Sequence, residues 1–207
     1  MADNPFNYSG IHAFVFINEV HPALDVDSGR LKDPGDDSTT IRDVIDALRA
    51  FGPPPDGPVI FASELVGSAK GFAHLRAESL TELQDFIGGH LSRRGVASNY
   101  GTEADTAKKG IKKVGAKRDT PEVIGLIRLR TQKGKLQEVL QALADDDGPL
   151  RDTFKGASVV FGDYDILLQL GGDTFEEVAA AAYGPLQQIP GIASSNTAFT
   201  DARRYEG

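Results

Sequence analysis

Side chains fall into two alternating sets in the first recognisable element, Ile11 to Val20. Ile11, Ala13, Val15 and Ile17 face one way, and His12, Phe14, Phe16 and Asn18 the other. A period of two is that of a strand, and apolar groups on both sides predict one covered on both faces. Ile41, Val44, Ile45 and Leu48 then recur at helical spacing, with Thr39 or Thr40 placed to cap the start. The prolines of "GPPPDG" end that helix. "VIFASELVG" and "GFAHLRA" read as two strands around a turn, "SLTELQDFIGGHL" as a helix opened by a Ser79–Glu82 capping box, and "GVASNYGTE" as a strand.

The same order returns further on. "EVIGLIRLR" reads as a strand, and "KGKLQEVLQALADDDG" as a helix with Leu136, Val139, Leu140 and Leu143 on one face. "GASVVFG" and "YDILLQL" form a strand pair, "TFEEVAAAAYGPLQQI" a helix capped by Thr174 with Glu177, and "GIASSNTAFT" a last strand. A shift of 95 positions lays Gly67 on Gly162, Leu75 on Leu170, Ser79 on Thr174 and Glu82 on Glu177. Repetition of turn, cap and strand start points to an internal duplication.

Each half is then β-α-β-β-α-β. The predicted fold class is α+β: tandem ferredoxin-like domains whose antiparallel sheets pack as a dimeric α/β barrel. The domains are expected at 1–102, with a long acidic loop at 21–40, and at 122–207, joined by a Lys-rich linker at 103–121.

Composition narrows the chemistry. The 207 residues carry a net charge of -8, so sequence-independent DNA binding, which needs Lys and Arg at phosphates, is disfavoured. The chain has no cysteine, which excludes disulfides and thiolate-bound metals and suits a reducing cytoplasm. No apolar run approaches the roughly 20 residues of a membrane span, and the start shows no secretory pattern. No nucleophile elbow or phosphate loop occurs, and "DVDSGRLKDPGD" departs from a calcium loop after Asp25 and Asp27. The basic group Lys108, Lys109, Lys112, Lys113, Lys117 and Arg118 has no aromatic residues on which bases could stack and reads as a solvated linker.

Two clusters remain. In "VVFGDYDILLQL" the apolar run breaks at Gly162, Asp163, Tyr164 and Asp165. Carboxylates there either stabilise a hairpin or hold a ligand's ammonium group, with Asn196 and Thr197 on the last strand as neighbours by topology. Arg128 and Arg130 share one strand face and either pair with acids or bind a carboxylate. The second cluster is His12 and His74, each on a strand face with large apolar residues, where the two rings can share a cavity.

From Val123 to Glu206, "GDYDILLQL" and "IPGIASSNT" resemble the effector-binding (RAM-like) domain of the leucine-responsive (Lrp/AsnC, feast/famine) regulators. The resemblance implies a dimeric α/β barrel that binds amino acids or similar effectors where subunits meet, forms homo-oligomers and serves transcription regulation. The first half lacks the family's helix-turn-helix, so regulation would pass through a protein partner rather than direct DNA contact. In this reading Gly162, Asp163, Tyr164, Asp165, Asn196 and Thr197 bind the ligand, and neither cofactor, metal nor catalytic residue is expected. The alternative, drawn from the wider barrel superfamily, is a haem-binding or cofactor-free monooxygenase with His12 or His74 in the pocket. A purely structural assembly protein is the third reading.

Overall fold

The computed structural model describes residues 10–20, 40–91, 96–103, 121–145 and 147–201. The acidic segment 21–39, with His21 and the calcium-like aspartates, and the Lys-rich segment 104–120 lie outside the described residues. The chain divides into two compact units, Met1–Thr102 and Glu103–Gly207.

The first unit runs β1 (Ile11–Val20), α1 (Ile41–Arg49), β2 (Val59–Glu64), β3 (Val66–Gly67), β4 (Gly71–Ala77), α2 (Leu80–Phe86) and β5 (Val96–Glu103). Its main strands lie in the order β2-β4-β1-β5, every neighbouring pair antiparallel. The second unit repeats this with β6 (Val123–Thr131), α3 (Leu136–Leu143), β7 (Phe154–Gly162), β8 (Ile166–Gly172), α4 (Phe175–Tyr183) and β9 (Ile192–Asp201), ordered β7-β8-β6-β9. Both are ferredoxin-like, as the repeat of elements predicts.

In the first unit the helices cover Ala13, Val15, Ile17, Ala62, Ala73 and Leu75 with Val44, Ile45, Leu48, Leu83 and Leu91. In the second, Ile127, Leu129, Ile166, Leu168 and Leu170 meet Val139, Leu143, Val178 and Ala182. Because side chains alternate along a strand, His12, Phe14, Phe16, Phe72 and His74 stand on the helix-free face of the first sheet.

The duplication is visible in the backbone. Gly67, which ends β3, and Gly162, which ends β7, take φ of +125° and +145°, values an L side chain resists. Ser79 and Thr174 each accept from the N–H of the glutamate three residues on, at 3.2 and 3.1 Å. Those glutamates do not reach back to the cap itself; Glu82 and Glu177 accept from the N–H one residue earlier, at Glu78 and Asp173. The full reciprocal box occurs instead at Thr40 with Asp43.

Two predicted helices are shorter than their apolar pattern. After α2 the chain widens into a π-helical turn, Ile87–Leu91, through Gly88 and Gly89, which give an α-helix little support. After α4, Gly184 closes the helix and Pro185 opens a separate 3-10 turn, Pro185–Gln188, because proline has no N–H to continue the ladder. No helix among the described residues is long and apolar enough to cross a membrane.

Candidate functional site

The hairpin between β7 and β8 carries the first cluster. The Thr131 backbone N–H and hydroxyl both donate to Asp165 Oδ2, at 2.7 and 3.0 Å. Arg130 Nε donates to the Asp163 carbonyl at 2.7 Å, and the Asp165 N–H to the Leu129 carbonyl at 2.8 Å. The turn is thereby stitched to the end of β6, which gives the Asp165 carboxylate a structural task.

Tyr164 is buried, and burial pushes its phenol well above the ordinary range, with the guanidinium of Arg128 opposing. Arg128 is buried too; desolvation pulls it below its ordinary value while Tyr164 and Asp163 oppose that. Arg128 and Arg130 do share a face, but Arg130 is exposed. On β9, Asn196 lies opposite Arg128 and Thr197 opposite Ile127, so the two neighbours point to opposite faces of the sheet. Asn196 is exposed and Thr197 buried.

The Thr197 hydroxyl has no hydrogen-bond partner among the described residues. Thr197→Val keeps the shape and removes the unsatisfied oxygen, so it is expected to raise stability by about 1 kcal/mol. A higher urea midpoint checks this; a lower one would mean that the hydroxyl is satisfied.

The second cluster is more closely built. His12 on β1 and His74 on β4 are diagonal neighbours, since His12 pairs with Arg76 and Phe14 with His74. Their rings share a hydrogen bond, His12 Nδ1 to His74 Nε2, at 2.8 Å. Both are enclosed, at 3% and 1% exposure. Phenyl rings share their face: Phe14 stands 4.6 Å from the His74 ring, Phe72 lies 6.2 Å from Phe14 and 5.1 Å from Phe16, and Phe61 lies 6.1 Å from Phe72. Burial holds the His74 imidazole well below the ordinary histidine range, and His12 adds to the effect. The ring is neutral at pH 7 and able to accept a hydrogen bond. His90 lies elsewhere, packed between Phe51 and Phe86. Among the described residues no group of three or more His, Asp or Glu could hold a metal ion by itself.

Reading the sequence brings out the two histidines but not Phe61 and Phe72 as their shell. The signal for the shell is the alternation in "GFAHLRA", which sets Phe72 and His74 on one face.

The pair has no counterpart in the second unit. Registering β6 on β8 as β1 on β4 sets Ile124 at the place of His12 and Gln169 at that of His74. Phe16 corresponds in the same way to Arg128.

No protein-family model matches the chain, and no curated protein does. Solved structures do. The chain is similar to the chlorite dismutase of Candidatus Nitrospira defluvii, solved in complex with imidazole, with a TM-score of 0.56 at 12% identity over 98% of this chain and 96% of that one. A mutant of the same enzyme gives 0.51 at 13% identity over 98% and 96%. A putative chlorite dismutase gives 0.50 at 8% identity, covering 96% of this chain and 98% of that one. At such identities the likeness shows a shared α+β fold, and it extends over both units.

These neighbours correct the resemblance to the leucine-responsive regulators. That resemblance rests on one short hairpin motif in the second half, whereas the structural likeness spans nearly the whole chain and leads to chlorite dismutases. Amino-acid sensing in transcription regulation falls with it. The "GDYD" hairpin is weak support for that family because Asp165 also meets the needs of a turn tied to a neighbouring strand.

Proposed function

We propose that the chain is an oxidoreductase whose working centre is the His12–His74 pair, and that this pair holds haem. The observation that carries the reading is the 2.8 Å hydrogen bond between two enclosed imidazoles. A histidine that ligates iron needs a neutral ring with one nitrogen for the metal and the other held by a hydrogen bond, which sets rotation and tautomer. The hydrogen bond fixes the two rings against each other and burial keeps His74 neutral, so the donor set fits haem. When bound, haem would supply the redox chemistry. The chain's part is to keep the His74 imidazole neutral, fix the orientation of both rings and exclude water through Phe14, Phe16, Phe61 and Phe72. The similarity to chlorite dismutases over nearly the whole chain supports this reading.

A second reading, a cofactor-free monooxygenase, is favoured by the near-complete enclosure of both rings among phenyl groups. There an imidazole would take a proton from a small apolar substrate, and dioxygen would oxidise the resulting anion.

Titrating the purified chain with haem tests the proposal. Saturable binding at one haem per chain with a shifted Soret band is expected, weakened about tenfold or more in His12→Ala. Absence of any Soret shift contradicts haem. Absence as well of oxygen uptake with a dihydroxynaphthalene probe contradicts both readings.

A further inference from the structure

We infer that the second unit binds a small planar aromatic molecule bearing a hydroxyl or carbonyl oxygen, between α4 and β9, with Thr197 as its hydrogen-bonding residue. The site belongs to the other unit from the histidine pair and is independent of the function proposed for that pair. Thr197 and Phe199 are two residues apart on β9, so they stand on one face of the sheet, about 7 Å apart along the strand. They lie opposite Ile127 and Gly125, and a side chain at Gly125 would meet Val178 of α4, so this is the helix-covered face. Phe199 is buried there. Two aromatic side chains of α4 reach its ring, Phe175 at 4.6 Å and Tyr183 at 6.5 Å between centroids. Both are exposed, at 47% and 63%. Large rings left open beside a buried one offer a flat apolar guest a surface to cover.

The Thr197 hydroxyl is the second, independent observation. The residue is 6% exposed, and its Oγ1 has no hydrogen-bond partner among the described residues. Such an oxygen costs stability, and valine has the same shape without it. Further along the same face, Ser195 has its hydroxyl engaged: Gln187 Nε2 donates to it at 2.9 Å and to the Ala182 carbonyl at 2.8 Å. Gln187 thus ties the end of α4, where Tyr183 is the last residue, to β9, and the two walls are held in place before any guest arrives. An unpartnered hydroxyl beside fixed rings selects a guest with an oxygen over its bare hydrocarbon, because a threonine hydroxyl both donates and accepts. The first unit does not repeat the arrangement. Under the shift of 95 positions Leu80 and Gly88 take the places of Phe175 and Tyr183, so the aromatic set is not a demand of the fold the two units share.

Titration of the full chain with 2-naphthol, followed by the fluorescence of the naphthol itself, tests the assignment. One saturable site per chain is expected. Phe175→Ala and Tyr183→Ala, both at exposed positions, should each weaken binding about fivefold or more. Thr197→Val should weaken 2-naphthol about fivefold, the usual worth of one hydrogen bond, and leave naphthalene, which has no oxygen, bound as before. That variant is also expected to be the more stable one, so its lost affinity cannot come from unfolding. His12→Ile with His74→Gln leaves 2-naphthol binding unchanged, which separates this site from the histidine pair. Absence of saturable binding overturns the proposal. Binding that Thr197→Val does not weaken overturns it as well, since the hydroxyl then serves no guest. Binding lost in the histidine double variant assigns the probe to the other site and counts equally against it.

Discussion

Phe72→Ala is expected to cost about 3–5 kcal/mol of stability, the range for deleting a fully buried phenyl group. Phe72 has no exposed surface and contacts the rings of Phe14, Phe16 and Phe61, so truncation opens a cavity on the helix-free face that several neighbours cannot all collapse into. The loss extends beyond packing. Phe72 packs on Phe14, which in turn backs the His74 ring, and desolvation is the leading cause of that ring's depressed pKa. Phe72→Ala should therefore also move the His74 titration back towards the ordinary histidine value. Urea unfolding and a histidine NMR titration read the two effects. A variant that loses less than about 1 kcal/mol, well short of the usual cost for a buried aromatic, would show the layer to be loosely packed.

Acid should destabilise the protein through His74. The folded state holds this imidazole neutral to well below the ordinary range, whereas the unfolded chain protonates it near pH 6.5. Above that pH the two states bind the same number of protons here, and the group's contribution is fully present. As pH falls below about 6.5 only the unfolded chain gains the proton, so stability drops by up to about 1.4 kcal/mol per pH unit until the folded-state pKa is reached. Carboxylates titrate in part of the same window, so the informative quantity is the difference between wild type and His74→Gln, which lacks the group. The variant's curve is expected to be flatter between pH 6.5 and about 5. Parallel curves would mean that His74 is protonated in the folded state.

Local signals made most of the fold legible. Thr40, Ser79 and Thr174 each accept from a backbone N–H at the start of a helix, because a short oxygen-bearing side chain at that place satisfies a donor that the helix leaves open. The alternation from Ile11 to Asn18 separates the helix-covered face from the histidine face residue by residue. Helix ends were less legible: Pro185 divides what the apolar pattern joins, and the widened turn at Ile87–Leu91 leaves the spacing of apolar residues almost unchanged.

The site divides along the same line. That His12 and His74 could share a space follows from β1 lying beside β4, a consequence of the element order. Their direct bond and near-complete burial do not follow, since both depend on register and packing between residues 62 positions apart. The turn acids read differently. Gly162, Asp163 and Asp165 stand out in the sequence, yet the contacts they make tie one hairpin to β6, a task that leaves the same residue pattern as ligand binding would.

The most direct test of the His pair as the working centre rebuilds the first unit on the pattern of the second, with His12→Ile and His74→Gln together. The account predicts a chain that still folds, by circular dichroism and cooperative unfolding, and that neither shifts the Soret band of added haem nor takes up oxygen with the phenolic probe. A folded double variant that binds haem as tightly as the wild type would contradict it.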